Sequence, residues 1–403
     1  RSTPMLNRRQ RQMCIRDRSV TRGHPDKICD QVSDAIVDHF LKQDPDARII
    51  AECAVSSGVM FISTHYATSA SALDITDIAR RTIREIGYPK EIFDANDCTI
   101  LTSIMDHSET DYTPVDLDAM SNKDLDKITA RQQTSVFGYA CDHTEDFLPL
   151  PIWLAHRIAY RMDVVQSVNK LPYLLPDAEI QVGFEFNNAQ PERIHSITMV
   201  ATQHENSDVE LEGLREDMIS KVIDPALKKV KIKSDPETMI HINPGGIRRG
   251  GGPSVHSGLT GRKTGIATYG GFARSSGAAL SGKDPMRIDR VGAYIARYAA
   301  KNVVAAGLAR ECEVQLSYSI GKADPVSLRV RTFGSSELDS EEIADRLKQV
   351  IDFRPGGIVR DLGLKKISTQ LGGFYRKLAV YGHMGRRELE VPWEDTAIAD
   401  KLK

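Results

Sequence analysis

The sequence predicts an α+β fold of three pseudo-symmetric domains, each a sheet with helices packed on one face. Segments with apolar residues at helical spacing alternate with β-branched runs along the chain. One order of strands and helices recurs three times, a repeat of element order and not of sequence. At 403 residues the chain is also too long for one small core.

Residues 1–18 (RSTPMLNRRQRQMCIRDR) hold six arginines and one acid, with no apolar core for a signal peptide. Their Arg-rich texture differs from everything after them, so a foreign or disordered segment is expected. An N-terminal domain then spans 19–110. Over 25–41, Ile28, Val32, Ala35, Ile36, His39 and Phe40 recur at helical spacing, with Asp30, Asp34 and Asp38 on the other face. Pro25 suits the first turn, where its missing N–H costs nothing. Residues 47–67 read as two strands joined through SSG, and 72–87 as a helix. The stretch 105–130 is acidic and aperiodic, and 111–130 is expected to be a lid or linker. The central domain, 131–246, has a helix over 149–165, strands over 180–186 and 194–203, and a helix over 209–230. The C-terminal domain, 247–403, repeats the order with a strand in TGIATYGG (264–271), a helix over 287–308 and a strand over 312–321.

A formal net charge of -2 gives no global positive field for nucleic acid. Apolar stretches such as 303–309 are far too short to span a bilayer. Six scattered cysteines without CxxC spacing read as free thiols in a reducing, cytoplasmic setting, and the histidines do not join them at zinc-ligand spacing.

Three segments share a chemical character: GHPDK (23–27), GLTGRKTG (258–265) and SGKDPMRIDR (281–290). Each combines small residues, which let backbone N–H groups approach a ligand, with Lys or Arg. Singly they are ordinary. A Gly-Arg-Lys is usually a surface turn, an Asp near a helix start is usually a cap, and GLTGRKT lacks the P-loop spacing. Together, Lys27, Arg262, Lys263, Lys283 and Arg287 supply cations for a polyphosphate, while Asp26 and Asp289 can hold Mg²⁺. No serine nucleophile with a partnered histidine is evident, which points to positioning and electrostatics. The glycine-rich GGIRRGGGP (245–253) reads either as part of this set or as a linker.

In this order and spacing, with FGYA (137–140), LPYLLPDA (171–178), INPGG (242–246), FRPGGI (353–358) and YGHMGR (381–386), the chain resembles the methionine adenosyltransferase (S-adenosylmethionine synthetase) family, as a divergent bacterial-type member. The resemblance runs from Ser19 to about Thr396. It implies attack of methionine sulfur on C5′ of ATP, followed by cleavage of the released triphosphate to pyrophosphate and phosphate. It implies that His24 stabilises the departing oxygen and that Lys27, Arg262, Lys263, Lys283 and Arg287 grip the phosphates. Asp26 and Asp289 would hold two Mg²⁺ ions, Glu52 a K⁺ ion, and Asp177 would face the nucleoside. A mobile lid near 105–128 and a homotetramer, a dimer of dimers with active sites between subunits, are also implied.

Departures cluster on the methionine side. The family has Glu where Arg18 stands and commonly Glu at Arg22. It has Glu at His65, Gln at His107, Asp at Gln132, Lys at Glu179, Asp at His256, and an adenine-stacking Phe at Arg248. His65, His107 and Gln132 are thus the substrate-side candidates, and Arg248 could stack on adenine through its guanidinium plane. Losing a carboxylate beside a substrate ammonium removes charge-assisted hydrogen bonds of roughly 1.5–3 kcal/mol each. An enzyme for a methionine-like substrate, a regulatory paralogue and a polyphosphate hydrolase are the alternatives.

Overall fold

The computed structural model describes residues 12–70, 74–228, 230–369 and 373–403. Its strands are β1 (Gln12–Val20), β2 (Arg48–Ser56), β3 (Val59–Ala67), β4 (Thr99–Asp106), β5 (Thr134–Cys141), β6 (Leu174–Asn187), β7 (Gln190–Gln203), β8 (Met239–Ile242), β9 (Gly258–Leu259), β10 (Glu311–Tyr318) and β11 (Ser327–Arg331). They form three sheets, ordered β4-β3-β2-β9, β1-β6-β7-β8 and β11-β10-β5. The helices used below are α1 (Pro25–Gln43), α2 (Ile75–Ile86), α3 (Leu150–Ser167), α4 (Leu211–Asp217), α5 (Ile288–Ala305) and α6 (Ser340–Val350).

Each sheet borrows one strand from another part of the chain. β1 pairs antiparallel with β6, β5 with β10, and β9 with β2. The N-terminal segment thus lends a strand to the central sheet, the central segment to the C-terminal sheet, and the C-terminal segment to the N-terminal sheet. One long helix covers each sheet: α1 on β2, α3 on β1 and β6, α5 on β5 and β10. The alternation of β2 and β3 turns Ile49, Ala51, Val55, Met60 and Ile62 inward, where they meet Ile28, Val32 and Ile36 of α1 in the core. Burying each of these Ile, Val and Met side chains contributes roughly 1.5–3 kcal/mol.

Residues 12–18 are not foreign to the fold. They form most of β1, Asp17 is buried, and its Oδ1 accepts the Gly271 N–H at 2.6 Å. Residues 1–11 lie outside the described residues. The hairpin over 47–67 is present, with Ser57 in the left-handed region at the turn. TGIATYGG is not a strand. It holds a short helix, Thr264–Ala267, then a turn in which Gly270 takes a positive φ beside Asp17. The helix over 209–230 is α4, then a π-helical turn (Met218–Ile223), then Asp224–Leu227, the irregular turn preceding Pro225, which lacks an N–H.

The acidic stripe of α1 does not face water either. Asp34 is ion-paired with the buried Arg290, Asp30 with Lys27 at 2.9 Å, and Asp38 accepts the backbone N–H groups of Tyr375 and Arg376 at 2.8 and 2.9 Å. C-terminal elements cover that face, so α1 is buried on both sides. Residues between β4 and β5 hold a 3₁₀ turn (Asp124–Lys127) and are tied to the C-terminal segment by Arg354–Asp126 at 2.7 Å and Lys366–Asp118 at 3.1 Å. All six cysteines are free. Among the described residues no helix is long and apolar enough to cross a membrane.

Candidate active site

The site begins at the N-terminus of α1. His24 is the N-cap, and its Nδ1 accepts the Asp26 N–H at 3.2 Å. With Nδ1 accepting, the ring proton of a neutral imidazole belongs on Nε2, which lies 3.6 Å from Glu179 Oε1. Asp26 is 1% exposed; its Oδ1 accepts the Leu259 N–H at 3.0 Å and its Oδ2 pairs with the Lys263 ammonium. Burial pushes the Asp26 carboxyl up, but the hydrogen bonds from Lys263 and the Leu259 N–H outweigh it and hold the carboxyl below its ordinary value. Arg262 reaches Asp26 at 4.0 Å, and Gly261 N–H donates to Asp30 at 2.8 Å. A Cβ on Gly258 would lie 2.2 Å from the Pro25 carbonyl carbon, so only glycine lets this turn rest on the helix start. GHPDK and GLTGRKT, more than two hundred residues apart in sequence, are therefore one interlocked unit. Lys27 belongs to it but is buried with its ammonium on Asp30.

Beside this unit lies a cavity of about 370 Å³ lined by Asp177, Glu179, Arg248, Gly250, Gly251 and His256. Asp177 Oδ2 accepts the Gly252 N–H at 2.8 Å, which fixes the glycine-rich loop, and lies 3.5 Å from His256 Nε2. The Asp177 carboxylate beside it raises the His256 imidazole above its ordinary value. The rings of His256 and His24 are 4.9 Å apart. Contact with His24 pulls the Glu179 carboxyl down to about 2. The sequence marks Glu179 and His256 only as departures from the family pattern; the fold brings both against His24.

The second cluster sits at the start of α5. Lys283 Nζ is 2.6 Å from Asp289 Oδ2, Gln132 donates to the same oxygen, and Arg287 Nη1 donates to Gln132 Oε1 at 3.3 Å. A bridge from Lys283 to Ile50 and a hydrogen bond from Ile49 N–H to Asp284 at 2.9 Å dock it on the first half of β2. His65 is paired with Ile50 across β2 and β3, and its ring stacks on His107 at 5.9 Å. Lys283, Asp289, Arg287, Gln132, His65 and His107 thus gather at one end of β2.

The first unit docks at the other end, where Leu259 is paired with Ala54. Ile50 and Ala54 are four residues apart, about 13 Å of strand. Glu52 lies between them on the outward face, exposed beside Phe61, Leu101 and Leu259. No hydrogen bond or ion pair links the two clusters among the described residues, nor do three or more His, Cys, Asp or Glu side chains converge as metal ligands. Each half holds a lysine against a largely buried carboxylate, Lys263 on Asp26 and Lys283 on Asp289, an ammonium that a phosphate oxygen could share.

Profiles of three families match nearly the whole chain: the S-adenosylmethionine synthetase N-terminal domain over 12–109, central domain over 127–247 and C-terminal domain over 250–395. The first match opens with β1. The S-adenosylmethionine synthase of Rippkaea orientalis is 43% identical over 401 residues, covering 96% of this chain and 94% of that one. The synthase of Trichodesmium erythraeum is 41% identical over 401 residues, with 96% and 95% covered. That of Thermosynechococcus vestitus is 43% identical over 392 residues, with 93% and 94% covered. The chain belongs to the S-adenosylmethionine synthetase family.

Proposed function

We propose that this protein is a methionine adenosyltransferase, forming S-adenosylmethionine from ATP and methionine. Methionine sulfur attacks C5′, the C5′–O bond breaks, and triphosphate departs with the electron pair; water then cleaves it to pyrophosphate and phosphate. The observation that carries this reading is the interlock of His24, Asp26 and Lys263 at a helix N-terminus. It gathers an Nε2–H donor, a carboxylate and an ammonium, a set suited to the charge of a leaving polyphosphate.

In this reading His24 Nε2–H donates to the oxygen leaving C5′. Arg262, Lys263, Lys283 and Arg287 neutralise the phosphates, and Lys27 acts from behind as a buried charge. Asp177 and Arg248 frame the nucleoside in their cavity, and His65, His107 and Gln132 border the amino acid. Asp26 and Asp289 fit Mg²⁺, which keeps several waters and takes one or two carboxylates plus phosphate oxygens, so no cluster of three protein ligands is needed. Two Mg²⁺ ions would supply charge neutralisation of the triphosphate when bound. Glu52 offers K⁺ a single carboxylate, so the rest of such a site would have to come from outside this sheet face.

The active site is proposed to lie between two subunits of a homotetramer, in the cytoplasm. Two half-sites about 13 Å apart on one strand support this. So does the sheet face between them, where Phe61 is 44%, Leu101 53% and Leu259 46% exposed. The test is purified protein with ATP, Mg²⁺, K⁺ and methionine, followed by chromatography for S-adenosylmethionine. Product is expected. Triphosphate cleavage without product would replace this reading with a hydrolase, and neither activity would replace it with a regulatory paralogue.

A further inference from the structure

The turn Thr21–His24, which carries the imidazole, is bonded from several sides. Gly23 N–H donates to Pro176 O at 3.0 Å, Tyr88 hydroxyl to Gly23 O at 2.6 Å, and Gln31 to Arg22 O at 2.7 Å. These partners are backbone or neutral groups. One further tie is to a carboxylate: Arg22 N–H donates to Asp163 Oδ2 at 3.1 Å, and Asp163, near the end of α3, is buried. The same Oδ2 accepts the hydroxyl of Tyr381, a residue held at a positive φ in the C-terminal segment. One turn further along α3, Gln166 accepts from the Arg22 guanidinium at 2.6 Å. Among the described residues, Asp163 Oδ1 is buried without a partner.

A buried carboxylate with a free oxygen is costly, and a neutral acceptor would make the same two bonds at less cost. What only the carboxylate adds is a charge that attracts the Arg22 guanidinium, whose own hydrogen bond goes to Gln166. We infer that Asp163 is a positioning residue for the proposed reaction: together with Tyr381 it draws Arg22 onto α3 and so sets the position of His24. Arg22 is thereby committed to the scaffold and is not one of the phosphate-binding cations. The titratable groups facing Asp163 are Arg22 from the turn, Tyr381 from the C-terminal segment and Tyr88 from the loop after α2. Burial raises the Asp163 carboxyl to about 7, against the pull of Arg22, so its charge is lost as pH falls through neutrality.

This inference rests on the assignment of His24 to the reaction, and its test separates the two. The decisive measurement is NMR of the full-length protein with ¹³C-labelled histidine, the His24 resonance being assigned with His24→Asn. Asp163→Ala and Tyr381→Phe are expected to move the His24 resonance, whether or not the protein makes S-adenosylmethionine. An unmoved resonance in Tyr381→Phe, the milder change, overturns the inference even if Asp163→Ala fails to fold. If the protein is active, Asp163→Ala should lower kcat about tenfold or more with KM for ATP little changed. Asp163→Asn, which keeps an acceptor oxygen but no charge, should hold the wild type's low-pH turnover across the range from about pH 6 to about pH 8. A loss confined to KM, or a constant ratio of wild-type to Asn turnover over that range, would overturn it.

Discussion

Asp26 at the first turn of α1 and Lys263 in the turn after β9 form an ion pair across 237 residues of sequence. Because the folded Asp26 carboxyl lies below its ordinary value, its contribution to stability is present above the unfolded pKa and is lost as pH falls through the folded one. Lys263→Met should therefore destabilise the protein at pH 7, by up to about 3 kcal/mol, and flatten the acid limb of its stability profile. Urea melts at several pH values would read this. An unchanged midpoint at neutral pH would mean that the Leu259 N–H alone holds Asp26.

Gly258→Ala should separate the same two turns sterically, since its Cβ would come 2.2 Å from the Pro25 carbonyl carbon. The expected result is a loss of about 1–3 kcal/mol in stability and weaker ATP binding by calorimetry. Gly245→Ala is the control. It lies in the neighbouring glycine-rich loop with nothing within 4 Å of its added Cβ, and both quantities should stay put.

His24→Asn removes the Nε2–H group to which the proposed function assigns the leaving oxygen. Turnover should fall about 10²–10³-fold, the usual effect of deleting one such donor, with thermal unfolding nearly unchanged. Stopped assays across substrate concentrations would show the loss in kcat; a loss in KM alone would remove His24 from the transition state.

Asp17 makes a pH prediction of opposite sign to that of Asp26. Burial lifts its carboxyl to about 7, with the Gly271 N–H only partly offsetting this. The folded state then binds more protons than the unfolded one between about 4 and 7, so stability from this group falls as pH rises through that window. Asp17→Asn should be more stable relative to wild type at pH 8 than at pH 5, measured as the difference in Tm. A difference independent of pH would show that Asp17 does not titrate in that window.

The double substitution Phe61→Glu, Leu101→Glu places two charges on the outward face of β3 and β4. Sedimentation should show smaller species, with secondary structure by circular dichroism retained and synthesis lost. If the proposed tetramer survives both charges, its subunit interface lies elsewhere.

Local elements were legible where one stretch of chain decides its own conformation. Pro25 and the apolar period after it announce α1, and the alternation in 47–67 announces β2 and β3. What stayed hidden depends on distant partners. The spacing of Asp30, Asp34 and Asp38 puts them on the face opposite the apolar one, and partners more than two hundred residues away, the Gly261 N–H, Arg290 and the Tyr375 N–H, make that face an interior one. Arginine-rich texture hid β1, whose alternate residues need only one apolar face. In the site, motif chemistry groups these residue types as one set and cannot divide them. That Lys263 and Lys283 dock at opposite ends of β2 follows from backbone pairing that no residue type encodes.

The exchange of strands among the three sheets bears on how the protein can come apart. A protease cut in any connecting loop would leave pieces clasped by β1, β5 and β9, so a nicked molecule should run intact on a sizing column and separate only in denaturant. Heating should give one cooperative calorimetric peak, because no sheet can melt without releasing a strand that belongs to its neighbour. A third of the chain expressed alone would offer a bare sheet edge to any matching strand, which makes swapped dimers the expected product of truncation.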